Sequence, residues 1–499
     1  MAIAMITEAT YPHSQGGVSV WCDQTIRGLS EHRFHVVALC ANEAAPFAWE
    51  PPGNVTQVTP IGLWDAVRAP KASPSEILRF RSAFAAFLAA VFENGDPAGF
   101  IAALRELFDL AQEGWLAAAL HTATAVDDLL GHLSDAPKRD GETEAPRANV
   151  AEALEILSLL THFLRPLSLP PVEAELCHSV SNGLGVLVAL GAKWTYGTPF
   201  LLTEHGLYLR ERFLEYTPGK TSLATHAFFP KFMSRLVRAG YEIADSIAPG
   251  SLYNRTWEMA SGADVERIRP IYNGIDPEEF PAPPPEPESP TMVWLGRIDP
   301  LKDVHTLIRS FAAVVAALPG ARLRLFGGVP AGNEEYAQLC HELVTELDLS
   351  SSVTFEGRVD SVARAYGTGH LVLNTSISEG FPYAVLEAMA SGRCVVATDV
   401  GGVEEAIGNA GVLVPPRDPK AVADACLSLL ADDERRRALG AAGRERVRGL
   451  FTVEQSNDAY RELYEQLCPP EASPRDAATP CSSAHTPIAS RIGEYECAS

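Results

Sequence analysis

The sequence predicts an α/β protein made of two doubly wound parallel-sheet domains that face each other across a cleft. Three observations carry this expectation. Short apolar runs alternate with segments of helical period toward both ends of the chain, the pattern of strands crossing over through helices. A stretch at 277–290 holds seven prolines and four glutamates, so it can form neither a helix nor a central strand and reads as a linker. The length, 499 residues, exceeds what one ordinary core organises.

The first 42 residues read as strand (2–7), loop (11–17), helix (18–32) and strand (34–40). Residues 43–172 break that rhythm. A Pro-rich stretch at 45–60 leads into Ala- and Leu-rich segments in which Leu154, Ile156, Leu157, Leu160, Phe163 and Leu164 recur with helical spacing. The block reads as a mostly helical insertion in the first domain, with a mobile polar loop at 135–148. Strands then resume at 174–180, 199–203, 246–248 and 268–272, with helices at 184–194 and 227–244, and Asn273-Gly274 closes the series as a turn. Beyond the linker the alternation is regular: strands at 292–295, 322–326, 353–355, 371–374, 394–398 and 412–414, with helices at 304–318, 334–347, 383–390 and after Pro419. The expected organisation is a first domain at 1–276, the linker at 277–290, a second domain at 291–450, a last helix at 451–468 and a disordered tail at 469–499, which is poor in large apolar residues.

Composition excludes several classes. The net charge of −23 argues against nucleic acid, whose phosphates attract basic surfaces. Nine cysteines are scattered singly, with no Cys-x-x-Cys pair, which supports neither structural zinc nor a disulfide framework. The N-terminus, Met-Ala-Ile-Ala-Met-Ile, has no basic region or cleavage site, and the longest apolar stretch, 83–92, is about half a membrane span. A cytoplasmic protein is expected.

The strongest chemical signal is Ser378-Glu379-Gly380-Phe381-Pro382 followed by Leu386-Glu387, between a strand and a helix. Gly380 and Phe381 can aim backbone N–H groups at a phosphate, with the helix dipole behind them. Glu387, one turn into the helix, can accept from two vicinal hydroxyls, and Glu379 can reach a second polyol. The competing reading makes both carboxylates solvated helix-start residues. Arg297 and Lys302 share another strand-to-helix loop, where they can grip a diphosphate or form a plain surface pair. Gly16-Gly17 opens the first helix and allows backbone to approach an anion. His205, at a strand end, is a contact for a reacting sugar or a structural histidine, and His178 carries less signal. No Asp-x-Asp for a divalent cation is present, so neutralisation of phosphate falls to Arg297, Lys302 and helix termini.

With these residues in place, 291–467 resembles the donor half of glycosyltransferase family 4. The resemblance lies in Trp294-Leu-Gly-Arg297-x4-Lys302, the Glu379-x7-Glu387 pair inside Glu-Gly-Phe-Pro, Thr398-Asp-Val-Gly-Gly402 and Phe451-Thr-Val-Glu454. Thr7-Glu8-Ala9-Thr10-Tyr11-Pro12 with Gly16-Gly17-Val18-Ser19, and Thr203-Glu-His-Gly-Leu-Tyr-Leu-Arg-Glu-Arg212, are similar to the Pel exopolysaccharide glycosyltransferase subfamily. The resemblance implies a GT-B fold, a last helix that crosses back onto the first domain, and a retaining, metal-independent hexosyltransferase. It implies UDP-glucose as donor, a saccharide acceptor, no cofactor and a membrane-embedded polysaccharide export assembly as partner. Position by position, it implies that Arg297 and Lys302 bind the diphosphate, Glu387 the ribose and Glu379 the transferred sugar. The amides of Gly17, Gly380 and Phe381 would take the β-phosphate, and His205 would lie against the sugar. Two other readings remain open here, a nucleotide-sugar epimerase and a non-catalytic nucleotide-sugar sensor.

Overall fold

The computed structural model describes residues 1–66, 73–92, 96–135, 148–214 and 222–469. The mobile loop expected at 135–148 and the tail expected at 469–499 fall, apart from their end residues, outside the described residues.

The first domain is built on six parallel strands: β1 (Ala2–Glu8), β2 (Arg33–Cys40), β3 (Val55–Gly62), β4 (Leu176–Ser179), β5 (Phe200–Glu204) and β6 (Ser246–Pro249), in the order β3-β2-β1-β4-β5-β6. The second repeats the plan with β7 (Thr291–Leu295), β8 (Arg322–Phe326), β9 (Val353–Gly357), β10 (Leu371–Asn374), β11 (Cys394–Thr398) and β12 (Val412–Val414), ordered β12-β11-β10-β7-β8-β9. β1, β4, β5, β7, β10 and β11 are buried along nearly their whole length, as strands covered on both faces by helices must be. In each sheet the order reverses beside the first strand, between β1 and β4 and between β7 and β10. The crevice outside the carboxyl ends of the strands at such a switch point is where open α/β sheets bind ligands.

Two elements differ from the sequence reading. The Pro-rich stretch at 45–60 was expected to open the insertion, yet β3 lies within it, paired with β2 from Val55 through Gly62. Pro60 is tolerated because β3 is the sheet edge, where a missing N–H leaves no ladder bond empty. The helical insertion therefore starts after Gly62. Conversely, no strand forms at 268–272: Ile268 makes a single bridge to Ile247, and although Ile271 N donates to Pro249 O at 3.0 Å, Pro249 has no N–H to return the bond.

The linker is strapped to the second domain. Glu286 takes a two-pronged contact from Arg436, at 3.0 and 2.8 Å, which holds its carboxyl pKa down at about 2 against burial. Arg393 donates to the Pro284 carbonyl at 2.8 Å, and Arg444 to those of Phe280 and Pro281 at 2.6 and 3.0 Å. The chain passes between domains at two places that lie side by side. Ile275 N donates to Phe451 O at 3.0 Å and Val453 N to Ile275 O at 2.9 Å.

The last helix, Val453–Leu467, starts at a Thr452/Gln455 capping box and packs on the first domain. Its Tyr460, Leu463 and Tyr464 are buried with Trp21, Cys22 and Ile26 of helix Gly17–Gly28. His178 joins the two. One ring nitrogen shares a hydrogen bond with Tyr464 OH at 2.7 Å and the other with Thr203 Oγ1 at 2.8 Å. Burial and the nearby His205 push its pKa down to about 3, so it is neutral.

Candidate active site

The loops after β7 and β10 flank the switch point of the second sheet and are tied into one unit. Ile377 N donates to Leu301 O at 2.8 Å, and Thr375 Oγ1 to the carbonyls of Lys302 and Asp303 at 3.0 and 3.1 Å. Asp299 organises the first loop. Its Oδ1 accepts from the N–H groups of Leu301 and Lys302, and its Oδ2 from Arg297 Nε at 3.1 Å. Lys302 is thereby turned toward the second loop, while Arg297 keeps a guanidinium that is 58% exposed.

Lys302 Nζ donates to Glu379 Oε1 at 2.6 Å, an oxygen that also accepts from Ser376 Oγ at 2.6 Å. The side chains are 21% and 10% exposed, so this is a largely buried ion pair. Burial acts to raise the Glu379 pKa. The Lys302 ammonium and the hydrogen bonds from Lys302, Ser376 and Asn374 outweigh it and hold the carboxyl below its ordinary value. Glu387 is governed differently. It sits in helix Tyr383–Ala390 and accepts from Tyr366 OH at 3.1 Å. With no cation beside it, burial dominates and pushes its pKa up to about 7.

Backbone packing explains the glycines of the loop. Gly401 adopts φ 61°, and a Cβ there would stand 1.8 Å from Glu379 O. Gly402 N donates to Gly380 O at 2.8 Å. A Cβ on Gly380 would stand 1.7 Å from His205 O. Any side chain at 380 therefore drives the two domains apart.

The first domain meets this unit through loops at its own switch point. A Cβ on Gly16 would lie 4.0 Å from Arg297 Nη1, and one on Gly17 3.3 Å from the Tyr383 ring. Gly16, Gly17, Arg297, Lys302, Glu379, Gly380 and Phe381 thus lie where the two domains meet, and Glu387 follows in the helix that begins after Pro382. His205 is turned otherwise than its expected role requires. Its ring packs edge-on against Trp21 at 4.6 Å, both ring nitrogens are buried, and burial pushes its pKa down to about 4. What meets the loop carrying Glu379 and Gly380 is the His205 carbonyl.

Several residues at the site gave no signal of their own in the sequence. Tyr366 and Ser376 hold the two glutamates, Tyr383 lines the approach of Gly17, and Asn273 Nδ2 donates to Phe381 O at 2.9 Å. In the sequence Asn273 reads only as part of a turn dipeptide, and Tyr383 only as the start of a helix. Among the described residues no group of His, Cys, Asp and Glu is arranged to hold a metal ion, and no helix is long and apolar enough to cross a membrane. The seven described cysteines are free thiols.

Two facing switch-point sheets, a linker that stays with the second and a last helix that returns to the first define the GT-B fold of glycosyltransferases. Solved structures agree on the fold. Sucrose-phosphate synthase from Thermosynechococcus elongatus matches with a TM-score of 0.62 at 20% identity, over 93% of this chain and 98% of that one. Anabaena Alr3699/HepE in complex with UDP-glucose matches with a TM-score of 0.59 at 16% identity, over 93% and 99%. Residues 1–266, more than half of the chain, match the family model described as Domain of unknown function (DUF3492), and residues 289–432 match that described as Glycosyl transferases group 1. The chain belongs to the family the first model describes, and its second domain is similar to group 1 glycosyl transferases. Among curated relatives, the D-inositol 3-phosphate glycosyltransferase of Nocardia farcinica is 35% identical over 36% of this chain and 40% of its own length. The N-acetyl-alpha-D-glucosaminyl L-malate synthase of Bacillus anthracis is 30% identical over 46% and 62%. The chain spans about half the length of the curated relatives it matches.

Proposed function

We propose that this protein is a retaining glycosyltransferase of family 4, similar to the Pel exopolysaccharide subfamily, that moves a hexose from a nucleotide diphosphate sugar to a saccharide acceptor. The observation that carries the reading is the set of charges at one switch point: the Lys302–Glu379 pair, the exposed Arg297 guanidinium and the half-buried Glu387. A diphosphate supplies the anion that Arg297 and Lys302 can share. Two polyols, ribose and the transferred sugar, supply hydroxyls for the two carboxylates. UDP-glucose as donor is supported by the subfamily resemblance and by the like-folded Anabaena protein, which was solved in complex with UDP-glucose.

In this reading cations and backbone N–H groups stabilise the departing diphosphate, which itself helps to deprotonate the acceptor hydroxyl on the same face of the sugar. No metal is required, since Arg297 and Lys302 neutralise the leaving group. The reaction would run in the cytoplasm, with a membrane-embedded export assembly receiving the polymer. The test is to incubate the purified protein with a panel of nucleotide sugars, with and without oligosaccharides and with EDTA, and measure released nucleotide. Release that depends on acceptor and survives EDTA is expected. Conversion of the donor to a new sugar nucleotide without acceptor, or no turnover of any donor, refutes the reading.

A further inference from the structure

Asn273 stands where the two domains meet. Its side chain is buried, the residue being 4% exposed. Its Nδ2 donates to Phe381 O at 2.9 Å, which fixes the loop carrying Glu379 and Gly380. Its Oδ1 is buried without a completed hydrogen bond, as are both ring nitrogens of His205. Phe381 and His205 lie side by side, since a Cβ on Gly250 would stand 3.8 Å from Phe381 Cβ and 4.0 Å from His205 Cα, and the Asn273 carboxamide acts on the imidazole in the sense of a hydrogen-bond partner, raising its pKa against burial. Beside Phe381 the domains approach closely, since a Cβ on Gly380 would stand 1.7 Å from the His205 carbonyl oxygen.

We propose that Asn273 is a positioning residue for transfer: its carboxamide holds the donor loop at Phe381 and the end of β5 at His205, and so sets the register of the two domains at Gly380. The proposal rests on the glycosyltransferase reading above. Each end has its own chemistry. The amide N–H groups satisfy a loop carbonyl, and the amide oxygen accepts the single N–H of a neutral imidazole, which fixes one tautomer. Aspartate at this position separates the two ends. It keeps an oxygen for His205 but loses the donor to Phe381 and sets a carboxylate against a carbonyl. Alanine removes both contacts.

The experiment combines two measurements on the wild type, Asn273→Ala and Asn273→Asp. Ring ¹⁵N signals of His205, assigned by their loss in His205→Ala, report the tautomer. Calorimetry with UDP reports the donor loop. The expected results are one defined His205 tautomer in the wild type, a change of its signals in Asn273→Ala, and UDP affinity at least about tenfold weaker in both folded variants. In turnover, Asn273→Ala should lose kcat with the acceptor KM unchanged, which general loosening would not produce. His205 signals like those of the wild type in folded Asn273→Ala overturn the His205 contact. UDP affinity within about threefold of wild type in both variants overturns the hold on the donor loop. Absence of UDP binding by the wild type defeats the glycosyltransferase reading itself, while the His205 signals still decide whether the Asn273 contact exists.

Discussion

Replacing Glu379 by glutamine separates what this carboxylate does for the fold from what it does for a donor. In the free protein Glu379 Oε1 carries Lys302 Nζ and Ser376 Oγ, each at 2.6 Å. Removing one partner of a fully buried ion pair costs about 3–5 kcal/mol, and an exposed pair is worth about 0–1 kcal/mol. With side chains 21% and 10% exposed, the free variant should lose about 2–3 kcal/mol of stability. UDP binding should respond in the opposite sense. A diphosphate must draw Lys302 away from a competing carboxylate, and in Glu379→Gln that competitor is neutral. UDP affinity should therefore hold or rise, by up to about tenfold, equal to about 1.4 kcal/mol. Transfer should fall roughly 10- to 150-fold, the worth of a hydrogen bond to a charged group at about 1.5–3 kcal/mol, and in kcat as well as kcat/KM. Calorimetry with UDP, chemical denaturation with and without UDP, and nucleotide release measure the three effects. A fall in UDP affinity of more than about tenfold in the folded variant would show that Glu379 holds the nucleotide, and the reasoning would fail.

Three further outcomes follow from the same geometry. Burial lifts the Glu387 pKa to about 7, so if the carboxylate accepts ribose hydroxyls, UDP should bind more tightly as pH rises from 6 to 8 and release a proton at the acid end. Calorimetry in buffers of different ionisation enthalpy reads that proton, and its absence would remove Glu387 from the ribose. Tyr464→Phe deletes the partner of a His178 ring nitrogen and should destabilise by about 1–3 kcal/mol, seen as a lower denaturation midpoint by tryptophan fluorescence because Trp21 packs on His178. An unchanged midpoint would mean that this contact does not hold the last helix in place. Glu258 is fully buried near Glu204, and burial with the neighbouring carboxyl raises its pKa. The folded state then binds a proton that the unfolded state has released, so stability declines as pH rises through the folded pKa. Glu258→Gln should flatten the fall in thermal midpoint between pH 6 and 10, and an equal slope in both proteins would contradict the pairing.

What the sequence disclosed depended on how local the cause was. The doubly wound plan was legible because β7, β10, β11 and β12 are apolar runs bounded by loop residues, a signal contained within a few positions. β3 was obscured because Pro60 reads as a breaker, and only its edge position makes the residue acceptable. The apolar run at 268–272 misled because strand character is completed by a neighbour, and Ile268 finds one bridge there. Arg297, Lys302, Glu379 and Glu387 could be named since loop and helix positions give them their chemistry. The contacts of His178 with Tyr464 and of Asn273 with Phe381 span 286 and 108 residues. No spacing rule reaches across such distances.

The pairing of Lys302 with Glu379 also bears on how the proposed reaction is controlled. A largely buried ammonium left alone there would carry a desolvation cost, and so would a lone carboxylate. Together they neutralise each other, with Ser376 completing the carboxylate's contacts. On the proposed reading, arrival of a nucleotide diphosphate changes the partner of the cation. Lys302 turns to the phosphates beside Arg297, and Glu379 is released to accept from hydroxyls of the attached sugar. The two events are coupled through one oxygen, Glu379 Oε1. A donor that brings both diphosphate and sugar satisfies both halves of the pair. UDP alone satisfies only the lysine and strands the carboxylate. Donor should then be favoured over product by the contact that Glu379 regains, and that preference should disappear in Glu379→Gln, where no charge is stranded.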